Sequence, residues 1–279
     1  MPETDRHRTD PGEGHVLAVD DVAPAGFVSL CWRVFFESRG RGVSMQAHFP
    51  WLAMPGQAFF VTLRSGEEVL AGCAVRLIAD RTGQWRAGAI GLVCVGTSHR
   101  GKGHSTRVLE RATEHADRMG LVDLVLWANH PGLYERHGFK PDDNALFGTI
   151  LAPAGAATGE LDIERSAWPA PGDKRGLPPF ASQAVRWQSR AASAIVLQGA
   201  DGGILAEWTG TDDDVADLLA YMVRAPRHMN ALASDSLPGV LAERGWEVRL
   251  VPARLRMIRS SEGHAHHCGA YDLRVLDRI

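Results

Sequence analysis

The 279-residue chain is 45% hydrophobic and 23% charged, with a formal net charge of −3, which suits a globular protein of one large folding unit or two small ones. That balance gives no electrostatic footprint for nucleic acid or a membrane surface, and no apolar run approaches the roughly 18 residues of a spanning helix. Four scattered cysteines (Cys31, Cys73, Cys94 and Cys268) lack the spacing of a disulfide framework, and the polar start MPETDRHRTDPGEGH lacks the apolar core of a secretion signal, so a reducing, cytoplasmic setting is expected.

Residues 1–13 read as a disordered tail. His15–Asp20 is a short strand. An apolar-periodic helix follows from Pro24 to Ser38, with Asp21 placed to cap it and Arg39-Gly40-Arg41-Gly42 to break it. Val43–Trp51 continues as irregular or short helical chain. Ala58–Arg64 and Val69–Ile78, either side of Ser65-Gly66-Glu67-Glu68, form a hairpin, and Gln84–Val95 is the third strand of the meander. Its end, Ile90–Val95, is a continuous apolar run that suits a buried central strand. A helix beginning near Gly103 sets Val108, Leu109, Ala112, Ala116 and Met119 on one face, and Gly120 stands where a C-terminal cap belongs. Leu121–Trp127 is the next strand, a short helix ends at Gly138, and Ala145–Leu151 is a further strand after the turn at Lys140–Asp143.

The chemistry concentrates between the third strand and its helix. Arg100-Gly101-Lys102-Gly103-His104-Ser105 opens a helix N-terminus, where main-chain N–H groups without intrahelical partners attract anions, phosphate above all. The glycines let the backbone approach oxygens closely, and Arg100 and Lys102 add positive charge. Neither the Gly-Lys-Ser/Thr ending of a P-loop nor the Gly-x-Gly-x-x-Gly dinucleotide fingerprint is present.

Arg100-x-x-Gly103-x-Ser105 resembles the pyrophosphate-binding Arg/Gln-x-x-Gly-x-Gly/Ala signature of the GNAT acyl-CoA N-acyltransferases, with Ser105 in place of the last small residue. Leu133-Tyr134-Glu135-Arg136-His137-Gly138-Phe139 resembles their second signature, an aromatic acid on a short helix followed by Gly-Phe. The short interval from Asn129 to Tyr134 is similar to that of the multidomain acetyltransferases of the enhanced-intracellular-survival type, here without their extra C-terminal domain. The resemblance implies an α/β fold (the α+β GNAT fold), with a mixed, mostly antiparallel central sheet flanked by helices, in a catalytic domain over residues 14–152. It implies acetyl-CoA as acyl donor, no metal, and direct transfer of the acetyl group to an amine.

On that resemblance, Arg100, Gly101, Lys102, Gly103, His104 and Ser105 hold the diphosphate. Main-chain groups of Val93, Cys94 and Val95 hold the pantetheine arm like an added strand, and Asn129 joins them. Tyr134 protonates the leaving thiolate. Cys94 is set aside as a nucleophile, because an apolar strand raises a thiol's pKa. The helical region before the meander walls the acceptor pocket in that topology, which makes Glu37, His48 and Trp51 candidates for substrate binding. Their plainer roles are a solvated helix end for Glu37 and packing for Trp51. In the multidomain relatives the chain's own C-terminal carboxylate approaches the site, which leaves Ile279 to be located.

After a linker at 153–179, with Glu160–Arg165 a strand inside it, residues 180–279 read as a worn second copy. Pro238–Trp246 aligns without a gap on Pro131–Phe139, Gly210 falls on Gly103, and Thr211–Arg224 falls on the helix after it. Tyr134 maps to Leu241, Arg100 to Glu207 and Ser105 to Asp212, so this copy lacks the proton donor and would repel a diphosphate. His264, His266, His267 and Cys268 are zinc-competent ligands without a second cluster, and Ala270–Leu276 is a further edge strand. The expected enzyme is an N-acetyltransferase acting on a small-molecule amine, monomer or homodimer. A protein or peptide acetyltransferase and a non-catalytic CoA-binding regulator are the alternatives.

Overall fold

Strands β1 (His7–Thr9) and β2 (His15–Asp20) open the chain as an antiparallel pair. The computed structural model describes residues 7–9, 14–40, 42–79, 85–156, 161–199, 202–223, 225–261, 271 and 273–279. By sequence, the first of two units comprises Met1–Asp142, Leu255–Tyr271 and Arg278–Ile279, and the second comprises Asp143–Arg254 and Asp272–Asp277.

In the first unit β2 leads to α1 (Ala25–Phe35), a 3-10 turn at Glu37–Arg39, α2 (Met45–His48) and a 3-10 turn at Pro50–Ala53. Then come β3 (Ala58–Ser65), β4 (Glu68–Ala79), β5 (Trp85–Val95), a 3-10 turn at Thr97–His99, α3 (His104–Arg118), β6 (Asp123–Trp127), α4 (Gly132–Glu135) and β7 (Lys140–Pro141). The eight-stranded sheet runs β1-β2-β3-β4-β5-β6, then a strand at Arg256–Ser260, then β7. Alternation along β4 sorts the core: Ala71, Cys73 and Val75 join Val108, Leu109, Ala112 and Ala116 of α3, while Ala74 faces Phe27, Leu30 and Cys31 of α1. Each fully buried Val or Leu in these layers is worth about 1.5–3 kcal/mol over exposure. Helix α3 ends as its sequence dictates, with Gly120 at φ +74°, the left-handed conformation that glycine adopts without strain.

One pairing in this sheet is short. β5 and β6 run parallel and are in register only for Ala87–Ala89 against Asp123–Val125. Beyond Ala89, β5 continues against β4 alone, through a bulge where the register shifts and Leu92 sits at φ +52°. The two strands therefore diverge, and the side of β5 that β6 would have paired opens toward the loop before α3.

The second unit contains β8 (Ala145–Leu151), β9 (Glu164–Trp168), β10 (Ala181–Gln188), β11 (Ser193–Gly199), β12 (Gly202–Thr209), α5 (Asp212–Met222), β13 (Arg227–Leu232), α6 (Leu237–Glu243) and β14 (Glu247–Pro252). Its seven strands run β14-β8-β13-β12-β11-β10-β9. β12 and β13 are parallel in register only at Ile204–Leu205 against His228–Met229, so β12-α5-β13-α6 repeats the strand-helix-strand-helix path and the short parallel pairing of β5-α3-β6-α4. The two sheets are each mixed and mostly antiparallel, with flanking helices.

Several expectations change. Of residues 1–13, His7–Thr9 is a strand on β2 rather than tail, and the rest lie outside the described residues. Helix α1 is shorter than Pro24–Ser38; Pro24 itself is the N-cap, and no side chain, Asp21 included, caps the helix. Met119 is 43% exposed beyond the last turn of α3 rather than on its buried face. The first domain does not reach residue 152, because Ala145–Leu151 pairs with β13 and β14. Glu164–Trp168 pairs with β10, so the expected linker 153–179 supplies a strand of the second sheet. Nor is 180–279 one body, since Arg256–Ser260 pairs with β6 and β7 in the first sheet and is β15 of the chain. The segment expected as a strand at Ala270–Leu276 instead contains the start of a 3-10 turn, Val275–Asp277; the His264–Cys268 cluster lies outside the described residues.

Candidate functional site

The loop from Gly96 to Gly103 connects the open end of β5 to α3. Gly101 and Gly103 have φ of +76° and +74°, which side chains with a Cβ adopt only under strain, and Gly103 is the N-cap of α3. No side chain caps this helix and its first turn holds no acid, so its leading N–H groups and the positive end of its dipole face out of the loop. The equivalent helix α5 is built the opposite way. Thr211 caps it through Asp214 N–H, Asp212, Asp213 and Asp214 fill its first turn, and Glu207 is held by both terminal nitrogens of Arg175 at 2.5 and 2.9 Å.

A cavity of about 290 Å³ lies at the uncapped end of α3. Val93, Cys94 and Val95 of β5 line it with Arg100, Gly101, Gly103, His104 and Ser105 of the loop and helix. Val34 of α1 and His99 also line it, and neither carried a signal in the sequence. Lys102 is exposed on the loop outside the lining, and Asn129 is exposed after β6, also outside it. His104 is buried, with its ring edge-on to His15 at 5.5 Å.

Tyr134 projects from α4 half-buried, packed on the α3-side core, with its ring edge-on to Phe139 at 6.3 Å. Burial, and secondarily the neighbouring Cys73, pushes its phenol above the ordinary value, which keeps the proton on oxygen at neutral pH. Cys94 faces α1, its sulfur 3.7 Å from that of Cys31. Burial drives the Cys31 thiol well up, and Cys73 likewise, so these sulfurs are packing groups of low reactivity.

Ile279 stands further back along β5. A Cβ built on Gly91 would lie 2.4 Å from its Cγ1, 2.5 Å from its main-chain carbon and 2.6 Å from its main-chain oxygen. The Ile279 side chain packs with the layer that holds Leu92, Cys94 and α1. A glycine inside an apolar strand is a legible sign of such an approach.

The acceptor-side candidates fare differently. Trp51 is 2% exposed, stacked on Phe60 and edge-on to Phe49, so its indole is core packing and offers no face to a substrate. His48 is also buried; its Nε2 accepts from Val43 N–H and its ring stacks on Phe36. Glu37 is exposed on the turn after α1 and does not line the cavity at the start of α3. Among the described residues no three His, Cys, Asp or Glu converge as metal ligands, and no helix is long and apolar enough to cross a membrane.

Residues 55–141 match the family model of the acetyltransferase (GNAT) domain. No curated protein matches the chain. Among solved structures, a conserved protein of Enterococcus faecalis is similar at 12% identity and a TM-score of 0.63, over 88% of this chain and 72% of that one. A GCN5-related N-acetyltransferase of Anabaena variabilis is similar at 11% identity and a TM-score of 0.62, over 88% and 72%. Eis1 of Mycobacterium abscessus is similar at 12% identity and a TM-score of 0.56, over 88% and 73%. At these identities the likeness is one of fold.

Proposed function

Because the chain carries an acetyltransferase domain of the GNAT superfamily, we propose that it transfers the acetyl group of acetyl-CoA to the primary amine of a small molecule, as a cytoplasmic enzyme, monomeric or homodimeric. The observation that carries this reading is the uncapped N-terminus of α3 sharing one cavity with the open end of β5. Helix N–H groups and the Arg100 guanidinium suit a diphosphate, and Lys102 adds long-range attraction from the loop. The unpaired stretch of β5 offers main-chain groups to the amide-bearing arm of the donor.

The residues divide the chemistry among them. A main-chain N–H of β5 near Cys94 stabilises the oxyanion that develops when the amine adds to the thioester. Tyr134, still protonated because its pKa is raised, delivers its proton to the departing thiolate, and the proton that the acylated nitrogen sheds as the amide forms restores the phenol through solvent. To Ile279's main-chain oxygen, which lies beside Gly91, we assign the hydrogen bond that orients the incoming amine.

The test is release of free CoA thiol from acetyl-CoA against a panel of amines, with peptides in a second arm. Turnover with small amines supports the reading, and turnover with peptides alone replaces it by a peptide acetyltransferase. Calorimetric binding of acetyl-CoA without turnover in either arm would make the protein a CoA-binding regulator. Absence of binding heat would remove the acyl-CoA assignment itself.

A further inference from the structure

His99 lies outside the motif that identifies the loop, yet its imidazole lines the diphosphate cavity beside Arg100. Its position is defined on three sides. Gly96 lets the ring lie against the end of β5, where a Cβ would meet His99 Cδ2 at 3.2 Å. Gly96 itself is tied down through its N–H to Leu70 O at 2.8 Å. On the outer side His99 Nε2 is 3.3 Å from Glu68 Oε1, the first residue of β4, and the His104 ring lies 6.4 Å away, centre to centre. The histidine side chain is 22% exposed and the glutamate 66%, so the pair sits at the rim with the ring turned in and the carboxylate turned out.

From this geometry we infer that His99 is a phosphate-contacting specificity residue of the donor site, and that Glu68 is a positioning residue acting through it. Glu68 occupies Nε2 and leaves Nδ1 for an oxygen in the cavity. The ring then bridges the Glu68 carboxylate and that oxygen, beside the Arg100 guanidinium. The carboxylate works here as an outer partner does behind a ligating histidine, fixing ring orientation. Arg100, His104, Glu68 and, across His104, His15 are the titratable or charged groups around the ring.

The inference rests on the acyl-CoA reading, so the experiment uses two donors: acetyl-CoA and S-acetyl-pantetheine, which has the thioester arm and no diphosphate. His99→Asn is expected to raise the KM for acetyl-CoA about tenfold, the size of one charge-assisted hydrogen bond, and to leave S-acetyl-pantetheine unchanged. Glu68→Gln is expected to raise the acetyl-CoA KM roughly twofold to fivefold, as a weakened hydrogen bond at an exposed rim allows, again without effect on the short donor. The double variant should be no worse than His99→Asn alone, because Glu68 acts only through the ring. Equal losses on both donors would reduce His99 to a structural role, and a lower KM in Glu68→Gln would make that carboxylate merely repulsive; either result overturns the inference. If the wild-type protein uses the two donors equally well, the acyl-CoA reading falls, and the inference with it.

Discussion

Gly91→Ala tests the close approach of Ile279 to β5. The added methyl would meet a methylene, a carbonyl carbon and a carbonyl oxygen of Ile279 at 2.4–2.6 Å, where ordinary contacts are 3.4–4 Å, so about 1 Å of movement is needed. Two of the three atoms are main chain, so rotation of a side chain cannot relieve the clash. If β5 and Ile279 both hold, overpacking costs about 1–3 kcal/mol. If Ile279 yields, its side chain leaves the layer shared with Leu92 and Cys94, which costs at most about 1.5–3 kcal/mol, the value of full burial. Either route gives a loss of about 1–3 kcal/mol in urea unfolding. Turnover should fall further, by on the order of 10²-fold for a misplacement of 1 Å, while the KM for acetyl-CoA changes little. β5 runs on for four residues past Gly91, about 13 Å at the usual rise, before the loop that holds the diphosphate begins. Gly88→Ala is the control. Its methyl would press at 2.6–3.3 Å only on side-chain tips of Val75, Leu124 and Leu121, so it should cost similar stability without the selective loss of kcat. Wild-type turnover in Gly91→Ala, with Ile279 displaced in a crystal structure, would refute the role given to that residue.

Tyr134→Phe should lower kcat by roughly 10²–10⁴-fold and leave acetyl-CoA affinity near wild type, measured by single turnover and calorimetry. The pH profile carries a sign: a raised phenol pKa means activity that depends on the Tyr134 proton persists below pH 10, its unfolded value, and is lost only as pH rises through the higher folded value. A Tyr134-dependent loss well below pH 10, absent in the Phe variant, would contradict that. Reversing charge at Arg100 and Lys102 should weaken acetyl-CoA binding and flatten its salt dependence. Asp142→Ala should destabilise the first unit by about 1.5–3 kcal/mol, the value of a hydrogen bond to a charged group, because Arg256, 3% exposed, donates to Asp142 Oδ2 at 3.1 Å and keeps its bond to the main-chain oxygen of residue 142. Thr211→Ala should cost about 0.5–2 kcal/mol of helix capping in unfolding and leave donor binding untouched.

Local signals were legible where residues near in sequence decide the structure. The glycines at 101 and 103, the period of α3 and the Gly120 stop are read within one or two turns of chain. So is the duplication, because Pro238–Trp246 repeats a short pattern. Strand partners were not legible. Ala145–Leu151 follows β6 and β7 directly, and adjacency argues for pairing there, yet Met257 and Ile258 of β15 fill that edge from more than a hundred residues away. Nothing local in Arg256–Ser260 names β6 as its partner. The same limit hid Val34 and His99, which reach the cavity through packing of α1 and the turn after β5. For Trp51 the difficulty was the reverse: an aromatic near a pocket wall reads alike from sequence whether it faces the ligand or the core.

The late return of β15 has a consequence for how the chain is made. A ribosome delivers everything from β1 to β7 and then the whole run from 143 to 254 before the strand that closes the far side of β6 exists. Until then β6 presents a bare hydrogen-bonding edge and the core around Leu124 and Leu126 lacks Met257, a combination that recruits other nascent chains. Fragments cut to the 55–141 segment that matches the family model inherit that exposed edge for good, so expression trials should keep residues 255–260 attached, by circular permutation if the middle is to be removed.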